Sequence, residues 1–139
     1  MTASDAVNLD TSGATGFVAE GSAVRGLLKA YVQGRAMLMC ATAEAEFLRA
    51  VRLQAGPFET ARAARFLARI ARVPDGPSAR VMALRATKKV HGPDKIIFGT
   101  GDALGVVTAT ADGRFVRGAA GQGVILNVFL HPPARFQGR

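Results

Sequence analysis

The stretch AVNLDTSG, residues 6–13, decides the fold class of this chain. Its apolar start, Ala6–Leu9, has the length of a short strand, and Asp10-Thr11-Ser12-Gly13 is the kind of polar, glycine-ended cluster in which a strand turns. The stretch therefore reads as a strand running into a loop, with an acid at its carboxyl end. The same figure returns late in the chain. GVVTAT, residues 105–110, reads as a strand, and Asp112 lies two residues beyond it. A third apolar run, AMLMCA at 36–41, fits a buried strand, VILNVFL at 124–130 reads as the last one, and Val73-Pro74 marks a short edge strand, where proline is tolerated.

Helical spacing fills the gaps between these runs. Residues 18–33 place Val24, Leu27, Leu28, Tyr31 and Val32 at helical intervals. Thr42 is expected to cap a helix that runs to Gln54 and is stopped by Gly56-Pro57. Further helices are expected over 58–71, 78–90 and 94–104. Strands alternating with helices imply a three-layer α/β/α sandwich with a mostly parallel central sheet. In such sheets the ligand site lies at the carboxyl ends of the strands, near the point where strand order reverses.

With 139 residues, nearly half of them apolar and a fifth charged, the chain is expected to form one globular domain over residues 1–139, with a core at about 6–131 and a tail at 132–139. No apolar run is long enough to span a bilayer, and the N-terminal stretch has neither the basic start nor the apolar segment of a signal peptide, so a cytoplasmic location is expected. The single cysteine, Cys40, sits in an expected buried strand and is read as inert. The net charge of +8 is uneven: residues 49–95 carry eleven basic residues and three acids, and the remainder is balanced. A basic surface beside a neutral remainder suits a polyanion. Arg62, Arg65, Arg69 and Arg72 recur every three or four residues and read as a continuous basic stripe on one helix, fit to grip a nucleic-acid backbone, meet an acidic partner or face water.

Against that background the acids stand out. Asp10 follows the first strand, Glu44 and Glu46 open the helix after the second, Asp94 opens a helix, and Asp112 follows the strand at 105–110. A parallel sheet would send all of them toward one end. Carboxylates gathered in that way repel one another unless a cation lies between them, and oxygen-only donors favour magnesium or manganese. Such an ion can lower the pKa of bound water and neutralise charge developing on a phosphodiester. Taken singly, Asp10 and Asp94 read as helix caps and Asp112-Gly113 as a turn pair. Ser12 and Thr110 read either as partners of a metal site or as ordinary strand-end hydroxyls, and Asp102 as a solvent-facing acid.

Other motifs carry less. Gly99-x-Gly101-x-x-x-Gly105 precedes a strand where a dinucleotide fingerprint must follow one. His91 and His131 lack metal-ligand spacing, so a histidine base has no support from the sequence.

Four segments, in order, resemble the PIN-domain family, which includes the VapC-like toxin ribonucleases. They are Leu9-Asp10-Thr11-Ser12, the TAEAEFLRA segment at 42–50 with Glu46-Phe47-Leu48, Asp94-Lys95-Ile96-Ile97, and the TATADGRF segment at 108–115, which is similar to the family's Thr-x-Asp-x-x-Phe. The resemblance implies a PIN-like fold and a metal-dependent endoribonuclease in which Asp10, Glu46, Asp94 and Asp112 hold magnesium or manganese, with Ser12, Glu44 and Thr110 around them. Glu44 competes with Glu46 for the second place. It also implies RNA as substrate and, if the likeness extends to the toxins, an antitoxin partner and a homodimer. The segment Phe98-Gly99-Thr100-Gly101-Asp102 departs from the small-residue run usual in that helix. A non-catalytic PIN-like module that binds RNA or protein is the alternative, and an α/β domain whose acids are all helix caps is a third.

Overall fold

The computed structural model describes residues 5–138; the ends of the expected domain, 1–4 and 139, lie outside the described residues. Five parallel strands form one sheet in the order β3-β2-β1-β4-β5. They are β1 (Ala6–Leu9), β2 (Ala36–Cys40), β3 (Ala71–Val73), β4 (Val107–Thr110) and β5 (Val128–Leu130). From β1 the chain builds one way through β2 to β3 and then the other way through β4 to β5. The order therefore reverses between β1 and β4, and the crevice at their carboxyl ends is where this architecture places ligands.

The residues of β1 and β4 are buried throughout, as expected of strands covered on both faces. Val7, Leu9, Val107 and Ala109 enter a core shared with α1 (Thr11–Val18), α2 (Arg25–Val32), α3 (Ala41–Gln54) and α4 (Pro57–Leu67), where Phe47 and Phe66 are fully buried. On the alternate face Asn8 and Thr108 meet α6 (Gly92–Leu104): Asn8 Nδ2 donates to Ile97 O at 3.1 Å and to Thr108 Oγ1 at 3.0 Å. A second core joins α5 (Ala79–Met82), α6 and α7 (Gly113–Gly121), with Phe98 stacked on Phe115 at 4.3 Å between ring centroids. The layered parallel architecture expected from the alternation is therefore present.

Several boundaries differ from the sequence reading, each for a visible reason. Asp10 to Gly13 is no loop: the chain passes from β1 straight into α1, and α2 covers only the later part of the segment expected at 18–33. Gly13 and Gly16 look like breakers but mark close approach, since a Cβ on Gly13 would lie 3.1 Å from Ala109 O, and one on Gly16 2.6 Å from Leu28 Cδ1. Thr42 does not cap α3. Cys40 holds that position, and Asp75, from the loop after β3, accepts from Thr42 N at 2.9 Å and from Thr42 Oγ1 at 2.6 Å. Helix α4 stops at Leu67, so Ala71 belongs to the edge strand β3.

The helix expected at 78–90 shrinks to α5. Beyond it the backbone of Arg85 is held at both N and O by the side chain of Gln122, and Thr87 organises a turn to Val90. Helix α7 had no sequence expectation; Gly113, Gly118 and Gly121 dilute its helical signal, and Asp112 caps it. The glycines of α6 are steric. A Cβ on Gly99 would fall 2.6 Å from Pro77 Cβ, and one on Gly101 2.4 Å from Thr108 Oγ1, so this helix lies too close to its neighbours for any side chain there. Asp102 is not solvent-facing: it takes a fork from Arg80 at 2.8 and 2.7 Å and a hydroxyl from Ser78 at 2.7 Å. The expected tail also joins the core, because Ala134 and Phe136 pack against it.

Candidate active site

Asp10 lies at the carboxyl end of β1, 7% exposed, and every hydrogen bond it accepts ties β1 to its surroundings. Its Oδ1 accepts from Gly13 N at 2.8 Å and from Ser12 Oγ at 2.6 Å, and its Oδ2 accepts from Thr110 Oγ1 at 2.5 Å. The two hydroxyls also accept. Ser12 Oγ takes Ala111 N at 2.8 Å, and Thr110 Oγ1 takes Asp112 N at 2.9 Å. Ser12 and Thr110 thus bracket the ends of β1 and β4 at the switch point. Burial pushes the Asp10 carboxyl above its ordinary value against the pull of Ser12, Thr110 and Gly13, with a further downward pull from His131.

The other acids arrive from three directions. Glu46 stands on α3 after β2 and accepts from Thr11 Oγ1 at 2.8 Å, so consecutive residues at the end of β1 fix both Asp10 and Glu46. Asp112 follows β4 and caps α7 by accepting from Phe115 N at 3.0 Å. Asp94 lies in the first turn of α6, and among the described residues its carboxylate accepts no hydrogen bond. Burial, then the negative fields of Asp112, Glu46 and Asp10, push its pKa up to about 6, with His91 pulling the other way. Three acids distant in sequence, Asp10, Glu46 and Asp112, therefore act electrostatically on Asp94.

Glu44 goes elsewhere. It forms an ion pair with Arg72, on the edge strand, so of the two competing glutamates it is Glu46 that faces the other acids. Asp10 and Asp112 are caps as well as cluster members; Asp94 and Glu46 accept no capping bond, and the reading in which every acid is a cap does not hold.

The donors are carboxylate oxygens, one of them pushed toward protonation by burial and then by the rest, and in that chemistry the residues fit a hard cation such as magnesium or manganese. The set is open: among the described residues no three His, Cys, Asp or Glu groups stand together closely enough to hold an ion. Both histidines reach the cluster, His91 through Asp94 and His131 through Asp10, which the sequence reading missed. The strand-end rule that found the aspartates also marks His131, the residue directly after β5.

The basic stripe is broken and displaced. Arg72 is on β3, and Arg69 lies beyond the end of α4. Arg62, Arg65 and Arg69 instead join Arg25 and Lys29 beside Phe17 around a groove of about 290 Å³. Arg25 donates to Phe17 O and Ala19 O, and Arg62 to Val18 O, so both guanidiniums close the carboxyl end of α1. That end is about 12 Å from Asp10 at 1.5 Å per helical residue. The groove and the acids lie at opposite ends of the same helix.

The family model described as "Protein of unknown function (DUF1308)" matches residues 19–137. The chain belongs to the DUF1308 family. The matched region includes Glu46, Asp94 and Asp112 and begins after Asp10. This DUF1308 chain is similar in fold to the structure of VapBC2 from Rickettsia felis bound to a DNA fragment from their promoter. The TM-score is 0.64 at 14% identity, over 92% of this chain and 98% of that one. It is also similar to the structure of FitAB bound to an IR36 DNA fragment, with a TM-score of 0.59 at 20% identity, over 89% of this chain and 94% of that one. These likenesses carry the fold, which is PIN-like as the motifs implied. No helix among the described residues is long and apolar enough to cross a membrane.

Proposed function

We propose that this DUF1308 protein is a metal-dependent endoribonuclease of PIN type. Asp10, Glu46, Asp94 and Asp112 would hold magnesium or manganese at the carboxyl edge of the sheet. The observation that carries this reading is Asp94: a half-buried carboxylate with no hydrogen-bond donor among the described residues, in the negative field of three others. Like charges gathered in this way cost stability unless a proton or a cation lies between them, and a divalent ion meets that need at neutral pH.

Held by these four carboxylates, a divalent ion would supply Lewis-acid stabilisation of the charge that develops on the phosphodiester. The chain supplies the positioning. Ser12 and Thr110 hold Asp10, Thr11 holds Glu46, and the cap on α7 holds Asp112, which leaves Asp94 as the acid free to adjust. The groove of Arg25, Lys29, Arg62, Arg65 and Arg69, remote from the acids, suits an acidic segment of a partner protein, in keeping with an antitoxin-like partner. A second copy of the chain is the other partner implied by the resemblance.

The test is the integrity of RNA incubated with the purified chain and manganese. Loss of full-length RNA that chelator prevents, and that Asp94→Asn abolishes while the circular dichroism spectrum is unchanged, is the expected result. Equal cleavage by Asp94→Asn would remove the reading. One observation favours a non-catalytic PIN-like binding module instead: the open arrangement of the acids. That alternative predicts RNA binding indifferent to manganese and no cleavage by the wild-type chain.

A further inference from the structure

Two clefts of about 440 Å³ each lie along α7 and share no lining residue with the Arg25 groove. The first begins at Asp112 and is walled by Arg114, Arg117 and His131. The second is walled by Arg117 again, with Arg85, Lys88 and Lys89. Because Arg117 lines both, they form one cationic path that starts at a proposed metal-binding acid and leads away from it.

Three features mark a built surface rather than loose charge. Arg114 and Arg117 are exposed, three residues apart on one face of α7, and among the described residues neither has an ion pair. The Arg117 guanidinium is folded back over the first turn of α7, where a Cβ on Gly113 would lie 2.8 Å from its Nη1. A cation there opposes the positive end of the helix dipole, a placement that an incoming anion reverses from cost to gain. The turn that presents Lys88 and Lys89 is fixed by the backbone: Thr87 Oγ1 accepts from Lys89 N and Val90 N at 3.1 Å each, and Gln122 clasps Arg85 to the end of α7.

The wall adds a polar group in want of a partner. His131 is 5% exposed; its Nδ1 lies 2.8 Å from Pro132 O, which fixes the proton there, and its Nε2 has no partner among the described residues.

We infer that this path, from Arg114 through Arg117 to Lys88 and Lys89, is the track for the sugar-phosphate backbone of the nucleic-acid strand leaving the acid cluster. The inference rests on the nuclease reading for the direction of the strand. It moves the nucleic-acid interface from the stripe expected in the sequence to the residues along α7. Recognition here is of phosphate, through counterion release and charge-assisted hydrogen bonds, and carries affinity more than sequence preference.

The test separates binding from cleavage. Fluorescence anisotropy of a labelled single-stranded RNA, and of DNA of the same sequence, is read with chelator present over a range of salt. Chains compared are wild type, Arg117→Gln, Lys88→Gln with Lys89→Gln, and Arg135→Gln as a charge change off the track. Arg117→Gln and the lysine pair should each weaken both ligands by roughly three- to tenfold and lower the salt slope by about 0.7 for each phosphate no longer neutralised. Arg135→Gln should change neither by more than about twofold. Track variants that match Arg135→Gln would overturn the inference, and a weakening confined to RNA would overturn phosphate as the group recognised. Cleavage assays on the same chains isolate the other reading: a wild-type chain that binds through the track but never cuts removes the nuclease and leaves the track standing.

Discussion

Asp94 holds its charge against three neighbouring carboxylates, and that fixes the sign of a pH effect. Its folded pKa is raised from 3.8 to about 6. Below the unfolded value the group is protonated in both states, and its contribution to stability is fully present. Between about 4 and about 6 the folded chain keeps a proton that the unfolded chain has lost, and above that the folded chain must release it, so the contribution is lost as pH rises through about 6. Without divalent ions, Asp94→Asn should therefore stabilise the chain at pH 7 by on the order of 1–2 kcal/mol, after allowance for partial exposure, and change little near pH 4. Calorimetry at the two pH values checks it, and a variant less stable than wild type at pH 7 would contradict it. The acids were legible because strand-end placement in a parallel sheet is a property of chain order. Which glutamate joins them was not, since Glu44 and Glu46 share the opening of one helix and only the neighbouring edge strand, with Arg72, separates them. Asp75 escaped notice because it binds the start of a helix thirty-three residues earlier in the chain.

Among the elements, α4 is held at its start by a side chain of its own. Glu59 is 1% exposed and accepts four backbone N–H groups: Gly56 at 3.0 Å, Gly138 at 3.1 Å, Glu20 at 2.8 Å and Gln137 at 2.9 Å. Burial alone would raise its pKa, but these donors overcome it and hold the carboxyl below its ordinary value. The stability it confers is present above the unfolded pKa and is lost as pH falls through the lower folded one. Glu59→Gln keeps the shape but presents an amide group where the site has only donors, and a loss of roughly 2–4 kcal/mol is expected, read from urea unfolding at pH 7. The wild-type chain should lose this advantage as pH falls below the unfolded value of 4.5 and through the lower folded one, and the variant should not. Gly101→Ala should cost about 1–3 kcal/mol because its Cβ would fall 2.4 Å from Thr108 Oγ1 and 2.8 Å from Asn8 Nδ2, inside a buried hydrogen-bonded pair. The long apolar-periodic helices were legible from spacing. The glycine-rich α7 and the short α5 were not, since close approach and a clasp by a distant glutamine leave no local periodicity to read.

The whole molecule divides its charge in space in a way that the linear count could not show. Of the basic residues of 49–95, Arg62, Arg65 and Arg69 line the groove at the far end of α1, and Arg85, Lys88 and Lys89 line the path beside α7. A divalent ion that binds only the folded chain raises its stability by about 2.7 kcal/mol at a hundredfold excess over the dissociation constant. Manganese should accordingly raise the melting temperature of wild type and leave Asp10→Asn and Asp94→Asn unmoved; an equal rise in all three would place the ion elsewhere. The layering was legible because alternation of element type fixes a parallel sheet. The lateral placement of the arginines was not, because it depends on where α4 stops.

The clasp on Glu59 also has a consequence for how the chain is made. Two of its four donors, Gln137 and Gly138, lie seventy-eight and seventy-nine positions further on. While a ribosome still holds those residues, the carboxylate can be dehydrated only at the cost of missing partners. A chain that stops at residue 136 should therefore be cut by protease near Glu59 where the chain that runs through Gly138 resists.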